Sequence, residues 1–223
     1  MILSAPSWVV PGTYLENLDI LEGVRAIRSV ELLFFIYDDE TRAIFARERD
    51  GIAARADRFG FTVHLPDPLL PEHEKLVETT HNFVRSYVFH PAIAEGAESQ
   101  ASTVELWRRR YGDVFYLENT RLSLFAANLP LFDDIGLCCD VGHLLLERGD
   151  PAAWLTKYTD RIREIHLHGL VAGKDHSAFS FRDETMGRLL PYLKCFEGTV
   201  ELELFSLVEI KGAIAELEGA CVV

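Results

Sequence analysis

The sequence is poor in cysteine and in basic residues, and it has no long apolar run. Only 22 Lys and Arg oppose 35 Asp and Glu, and a net charge of −13 repels a phosphate backbone, so double-stranded nucleic acid is not an expected partner. No run reaches the roughly 18–20 apolar residues of a membrane helix. The first residues lack the basic segment of a signal peptide. We therefore expect a cytoplasmic protein without a membrane partner.

Several motifs are also missing. The four cysteines lack CxxC spacing, which argues against a disulfide framework and a thiolate zinc site; they are Cys138, Cys139, Cys195 and Cys221. Neither GxGxxG nor GxxxxGK[ST] occurs, which weakens a nucleotide-binding interpretation, and there is no GxSxG serine signature. The 223 residues are 48% hydrophobic and 26% charged. This composition is typical of a globular chain, and we expect one domain over residues 1–223.

Short apolar runs alternate with amphipathic segments along the chain. Eight runs are typical of strands: Ile2–Ser4, Val30–Ile36, Phe61–Pro66, Ser86–His90, Val114–Glu118, Gly136–Asp140, Glu164–His168 and Val200–Phe205. The segments between them predict helices: Glu40–Phe59, Glu72–Val84, Ser102–Tyr111, Pro151–Arg161, Glu184–Tyr192 and Val208–Leu217, with a weaker one at Leu122–Asp133. Such alternation implies parallel strands with right-handed crossovers. It predicts an α/β fold, a (β/α)₈ TIM barrel, with an open doubly wound sheet as the alternative.

Imidazoles and carboxylates recur where these strands end. They are His64, His90, Glu118, Asp140 with His143 after it, His166 and His168 with His176 after them, and Glu201 and Glu203. In a barrel the carboxyl ends of the strands meet at one mouth, so these side chains should converge. Burying them without partners would cost several kcal/mol each, whereas divalent cations would neutralise the carboxylates and accept the imidazole nitrogens. Histidine and carboxylate without thiolate suit zinc, manganese or iron.

Local motifs at these strand ends resemble those of the xylose isomerase-like TIM barrels, the superfamily that includes endonuclease IV. The most specific is DxxH at Asp140 to His143; HL at strand three, HP at strand four, LEN at strand five and IHLHG at strand seven accompany it. The resemblance covers essentially the whole chain. It implies a cluster of two or three zinc or manganese ions, with Glu118 bridging. The implied ligands are His64, His90, Glu118, Asp140, His143, His166, His176 and Glu203.

One position departs from that pattern and leaves the ion count open. The superfamily places Asp two residues before the histidine that matches His176, and here Lys174 stands there, with Asp175 beside it. Asp175 or His168 would have to substitute, or the site would be dinuclear. The spacing also does not decide which of Glu201 and Glu203, or of His166 and His168, faces the barrel interior, since residues two apart share a face.

The resemblance implies two enzymatic activities on small molecules. The first is hydrolysis of a phosphodiester. The N-terminal stretch APSWVVPGTYLEN and the strand VELLFF also resemble the cobamide-remodelling phosphodiesterases of this superfamily, which implies the nucleotide loop of a cobamide as substrate. The alternative is a sugar (phosphate) isomerase or epimerase, in which Glu118 and Glu203 move protons. His64 and His90 exceed what isomerase chemistry requires and favour the hydrolase. A binding barrel without catalysis is the third hypothesis.

Overall fold

The structure, a computed structural model, describes residues 1–222; Val223, the last residue of the expected domain, lies outside the described residues. Its strands are β1 Ile2–Pro6, β2 Ser29–Leu33, β3 Gly60–His64, β4 Ser86–Phe89, β5 Phe115–Glu118, β6 Gly136–Asp140, β7 Ile162–His166, β8 Gly169–Val171, β9 Lys174–Ser177 and β10 Thr199–Glu201. Its helices are α1 Tyr14–Glu22, α2 Asp39–Ala53, α3 Glu74–Thr80, α4 Ala94–Tyr111, α5 Leu122–Asn128, α6 Val141–Leu146, α7 Pro151–Lys157, α8 Glu184–Gly187, α9 Leu190–Cys195 and α10 Leu207–Gly219.

Eight of the strands close into a parallel barrel in the order β1-β10-β7-β6-β5-β4-β3-β2. Neighbouring strands pair in register, for example Leu33 with His64 and Asp140 with His166. The predicted (β/α)₈ barrel is therefore confirmed, and the open-sheet alternative is wrong. Strands β8 and β9 form an antiparallel hairpin outside the barrel, and within residues 1–222 no helix is long and apolar enough to cross a membrane.

Several elements differ from the sequence prediction, and the short helix α6, which was not predicted, is one of them. Helix α1 was not predicted, although Thr13 and Glu16 form a reciprocal capping box at its start. The hairpin β8–β9 was not predicted, because its strands are only three and four residues long. The single predicted helix Glu184–Tyr192 is two short helices, since Pro191 lies in the first turn of α9 and cannot sit in a helix interior.

The strands alternate between an apolar outer face and a polar inner face. In β3, Phe61 and Val63 belong to the hydrophobic core between barrel and helices. Thr62, by contrast, lies with its hydroxyl 3.5 Å from the carboxylate of Glu164 on β7, on the opposite side of the barrel. The interior of such barrels is normally filled by branched apolar side chains. Here it holds hydroxyls, imidazoles and carboxylates.

Candidate metal centre

The strand ends bring the predicted polar side chains together at the mouth of the barrel. His64 ends β3, Glu118 ends β5 and Asp140 ends β6, and none of these side chains is more than 3% exposed. Within the described residues, donor atoms form groups in which all atoms lie within 4.8 Å of one another. Three of these groups lie at the mouth: His64, His90 and Glu118; Glu118, Asp140 and His143; and His168, His176 and Glu203.

The first group is built around one oxygen of Glu118. Oε2 of Glu118 lies 3.1 Å from Nε2 of His64 and 3.5 Å from Nε2 of His90. Burial would raise the pKa of Glu118, but His90 and His64 hold it well below the usual value. Burial would likewise lower the pKa of His90, but Glu118 and a hydrogen bond to Asp67 raise it to about 10. Glu118 and His90 therefore form an ion pair even without a cation.

Asp67 is a residue that the sequence reasoning missed. Its Oδ2 lies 3.0 Å from Nδ1 of His90, so Nδ1 carries the proton and Nε2 faces Glu118. A carboxylate that fixes the outer nitrogen of an imidazole in this way is typical of metal-binding histidines. The signal was an acidic residue three positions after the strand-end His64.

The second group comes from the DxxH segment. Asp140 caps helix α6, and its Oδ1 accepts a hydrogen bond of 2.6 Å from the backbone N–H of His143. The cap directs the carboxylate and the imidazole to the same side, with Oδ2 3.6 Å from Nε2 of His143. Asn119 holds the backbone of Asp140 through two bonds of 2.9 Å. Asn119 of the LEN segment therefore holds the backbone of the DxxH segment in place.

The third group joins the hairpin to the barrel. His176 of β9 stacks on His168 at 4.3 Å, and its Nε2 lies 3.4 Å from Oε1 of Glu203. Nδ1 of His168 accepts the backbone N–H of His176 at 2.8 Å, so in a neutral ring Nε2 carries the proton and faces Asp140 at 3.1 Å. His168 thus orients Asp140 and His176.

The residues around the departure at Lys174 are now placed. Lys174 is exposed, and Oδ1 of Asp175 lies 3.4 Å from Nδ1 of His176. Asp175 therefore stands behind His176, as Asp67 stands behind His90. The hairpin therefore contributes to the mouth the imidazole of His176 together with the carboxylate of Asp175 that contacts it.

Both members of each ambiguous pair face the barrel interior, at two depths. Glu203 contacts the mouth histidines, whereas Glu201 lies one layer deeper in register with His166. His166 is 0% exposed; its Nδ1 lies 3.4 Å from Oε2 of Glu203, and its Nε2 lies 3.5 Å from Oε1 of Glu31 on β2. The ring of His166 therefore presents Nδ1 to the mouth and Nε2 to the deeper layer.

The unpartnered donor atoms test whether these residues suit a cation. Oε2 of Glu203 is buried without a hydrogen-bond partner among the described residues. Its distance to Nδ1 of His166, 3.4 Å, is long for a hydrogen bond. Two atoms that are each about 2.1 Å from one tetrahedral ion lie about 3.4 Å apart. The mouth donors have the chemistry and spacing of zinc or manganese ligands.

An apolar groove adjoins this mouth. It has a volume of about 410 Å³ and is lined by aromatic and aliphatic side chains that include Trp8, Phe35, Ile36 and Phe205. Phe35 meets the ring of His64 at 5.8 Å, and Phe205 meets that of His176 at 5.1 Å. Trp8 is 48% exposed. A molecule bound at the mouth would therefore also contact this groove.

Comparisons with known proteins establish the fold and no more. No family model and no curated protein matches the chain. Among solved structures, a probable 3-DHS dehydratase from Bacillus anthracis is 11% identical with a TM-score of 0.66, over 98% of both chains. An L-ribulose 3-epimerase is 14% identical, with a TM-score of 0.65 over 98% of this chain and 86% of its own. An AP endonuclease, family 2, from Brucella melitensis is 13% identical, with a TM-score of 0.65 over 98% of both chains.

These neighbours confirm the resemblance at the level of fold. All three carry the names of enzymes, with three different activities. A xylose isomerase domain is among the other structures that match. The chain therefore shares its TIM barrel fold with this L-ribulose 3-epimerase and this AP endonuclease.

Proposed function

We propose that the protein is a divalent-cation-dependent enzyme that hydrolyses a phosphodiester in a small molecule. The observation that carries the proposal is the number of imidazoles at the mouth. His64, His90, His143 and His176 each lie within 3.6 Å of a mouth carboxylate. One cation with four ligands would leave several of these donors unused. The set suits two or more zinc or manganese ions.

Each mouth side chain would have a role that follows from its position. Glu118 lies in two of the three mouth groups, so it would bridge two cations. Asp140 and His143 would hold one side, and Glu203 with His176 the other. When bound, divalent cations withdraw charge from the phosphate oxygens and lower the pKa of a water molecule. The unpartnered Oε2 of Glu203 would orient that water or accept its proton.

The groove supports a substrate that is larger than a simple sugar. It adjoins the mouth where Phe35 and Phe205 contact the histidine rings, and its lining is mostly apolar, with hydroxyls from Ser7, Thr13 and Thr41. A substrate with a planar apolar group beside its phosphodiester would fill both places at once. The sequence resemblance implies the nucleotide loop of a cobamide as the part that is cut, and a cobamide is one compound of this class.

An isomerase or epimerase is the second candidate, and the comparisons support it at least as well. Several neighbours with this fold are named as sugar phosphate isomerase/epimerases or epimerases, and one is named as an AP endonuclease. Glu118 and Glu203 lie on either side of Nδ1 of His166, at 3.8 and 3.4 Å. Two carboxylates so placed would move a proton between adjacent carbons.

One experiment separates the two reactions. Metal-free protein is given Zn²⁺ or Mn²⁺ and assayed for hydrolysis of bis(4-nitrophenyl) phosphate and of a cobamide, and in parallel for solvent deuterium uptake by a panel of ketoses and sugar phosphates. We expect metal-dependent hydrolysis that His64→Ala reduces by about 100-fold or more. His81→Ala is the control, because His81 is exposed on the surface.

Each result has a definite meaning. Deuterium uptake without hydrolysis, unaffected by His64→Ala, would replace the hydrolase with the isomerase. Full hydrolysis after exhaustive metal removal would reject the cation-dependent mechanism. Binding of these compounds without turnover, unchanged in Glu118→Gln, would leave a non-catalytic binding barrel.

A further inference from the structure

A second cavity adjoins the mouth, beside two of the candidate metal ligands. It has a volume of about 590 Å³, and His90 and His143 both line it. The apolar groove, by contrast, meets the mouth at the rings of His64 and His176. The two cavities therefore reach the mouth at different imidazoles, and only the groove has a role in the reaction proposed above.

The second cavity carries one permanent positive charge. Arg121, three residues after Glu118 at the start of α5, is the only Lys or Arg among the described residues that line it. None of the described residues that line the apolar groove is basic. Arg121 is exposed, so its guanidinium is open to a ligand that enters from solvent. Arginine stays charged at every physiological pH and presents its N–H groups in a fork that matches two phosphate oxygens.

No carboxylate of the described chain uses this charge. Within residues 1–222, the guanidinium of Arg121 makes neither an ion pair nor a hydrogen bond. Asp67 is the only carboxylate among the residues that line the second cavity, and its Oδ2 contacts Nδ1 of His90 at 3.0 Å. Glu147, on the other side, accepts the backbone N–H of Leu122 at 2.7 Å. The guanidinium is therefore available to an anion from outside the chain.

A phosphodiester at the mouth needs such a charge. The net charge of the chain is −13, and the mouth carboxylates Glu118, Asp140 and Glu203 add a local repulsion for phosphate. His90 and His143 belong to the two mouth groups that share Glu118. The second cavity therefore opens beside the place where Glu118 would bridge two cations, which is where the phosphate of the substrate would lie.

We propose that Arg121 binds the phosphodiester, with its N–H groups donating to non-bridging oxygens of a phosphate held beside His90 and His143. This contact rests on the proposed function and adds to it a residue that touches the substrate. Hydrogen bonds from a guanidinium to phosphate are roughly twice as strong as neutral ones. Loss of Arg121 therefore weakens the binding of the substrate and of the transition state.

The test compares Arg121→Ala with the wild-type protein, both loaded with Mn²⁺, in the hydrolysis of bis(4-nitrophenyl) phosphate. We expect kcat/KM to fall by about 100-fold. Free guanidinium, at a concentration at which circular dichroism shows an intact fold, should restore part of this loss. Arg121→Lys should have an intermediate rate, because lysine keeps the charge and loses the fork.

Two variants serve as controls. Arg109→Ala is matched to Arg121→Ala, because Arg109 is also exposed and has no ion pair within residues 1–222, but it lies on α4 and lines a different surface cavity. Its kcat/KM should equal that of the wild-type protein. His64→Ala removes a candidate metal ligand and should gain nothing from guanidinium.

Two further measurements distinguish substrate binding from a structural role. The Mn²⁺ bound per chain should be unchanged in Arg121→Ala, whereas the affinity for inorganic phosphate, measured by calorimetry, should fall by about 10-fold. Wild-type kcat/KM or wild-type phosphate affinity in Arg121→Ala would overturn the proposal, and so would a lost rate that comes with lost Mn²⁺ and no rescue. If the wild-type protein hydrolyses no phosphodiester but its phosphate affinity still depends on Arg121, the proposed function fails and the anion contact stands.

Discussion

Replacing Gly142 with Ala tests whether the ring of His168 must keep its position for the mouth to bind a cation. A Cβ atom at this position would lie 1.9 Å from Cε1 and 2.1 Å from Nδ1 of His168. Ordinary contact begins at 3.4 Å, so the ring must retreat by about 1.5 Å. The ring stacks on His176 at 4.3 Å and faces Asp140 at 3.1 Å. The retreat therefore disturbs both a mouth carboxylate and a mouth imidazole.

We expect Gly142→Ala to weaken Zn²⁺ binding at the mouth by about 10- to 100-fold, the usual loss when a residue that orients a metal ligand is displaced. Affinity would be measured by competition with a chromophoric chelator, with circular dichroism as a check on folding. Gly212→Ala in α10 is the control: no atom lies within 4 Å of the added Cβ, so affinity should not change. Wild-type affinity in folded Gly142→Ala protein would refute the role given to His168.

The other predictions concern stability and substrate binding. The pKa of His90 is raised to about 10, so its pairing with carboxylates stabilises the metal-free protein fully below the ordinary value of 6.5. That contribution is lost as the pH rises through about 10; the urea midpoint of metal-free protein should therefore fall between pH 7 and pH 10, and a rising midpoint would contradict the pairing. Leu18→Ala on α1, where Leu18 is 0% exposed, should cost about 2–5 kcal/mol in urea unfolding, and a loss below 1 kcal/mol would place α1 outside the core. Trp8→Ala should raise KM about 3- to 10-fold for substrates with a planar apolar group, while an unchanged KM would exclude the groove from binding.

The barrel was predictable because each strand is a contiguous segment of sequence. Its outer face is apolar and its inner face polar, so strand position could be recognised without knowledge of the pairing. Where the pairing ends was not predictable. The predicted strand Val200–Phe205 leaves the barrel ladder after Glu201, because the N–H of Leu204 turns back to the carbonyl of Leu202 at 2.7 Å. Glu203 therefore lies on a loop at the mouth.

The candidate site was predictable to the extent that it uses strand ends. The residues missed are those whose role depends on packing between distant segments. Asp67 matters only because its loop passes His90, and Gly142 only because the ring of His168 crosses its backbone. Glu31 did carry a local signal, a single acidic residue among apolar neighbours of β2, whereas Glu164 of β7 follows Arg163 and carries no such signal. Reasoning from strand ends alone passed over both residues, because they lie below the mouth.

The polar barrel interior changes how this fold must be stabilised. In most such barrels branched apolar side chains fill the interior, whereas here the apolar side chains lie between the strands and the outer helices, as Leu18, Ile52 and Trp107 do. The interior carboxylates and imidazoles cannot add hydrophobic stabilisation, and unpartnered they oppose folding. Cations that bind the folded chain and not the unfolded one would offset this cost. The residues that would make the site chemically useful are thus the ones whose burial would be offset by bound cations.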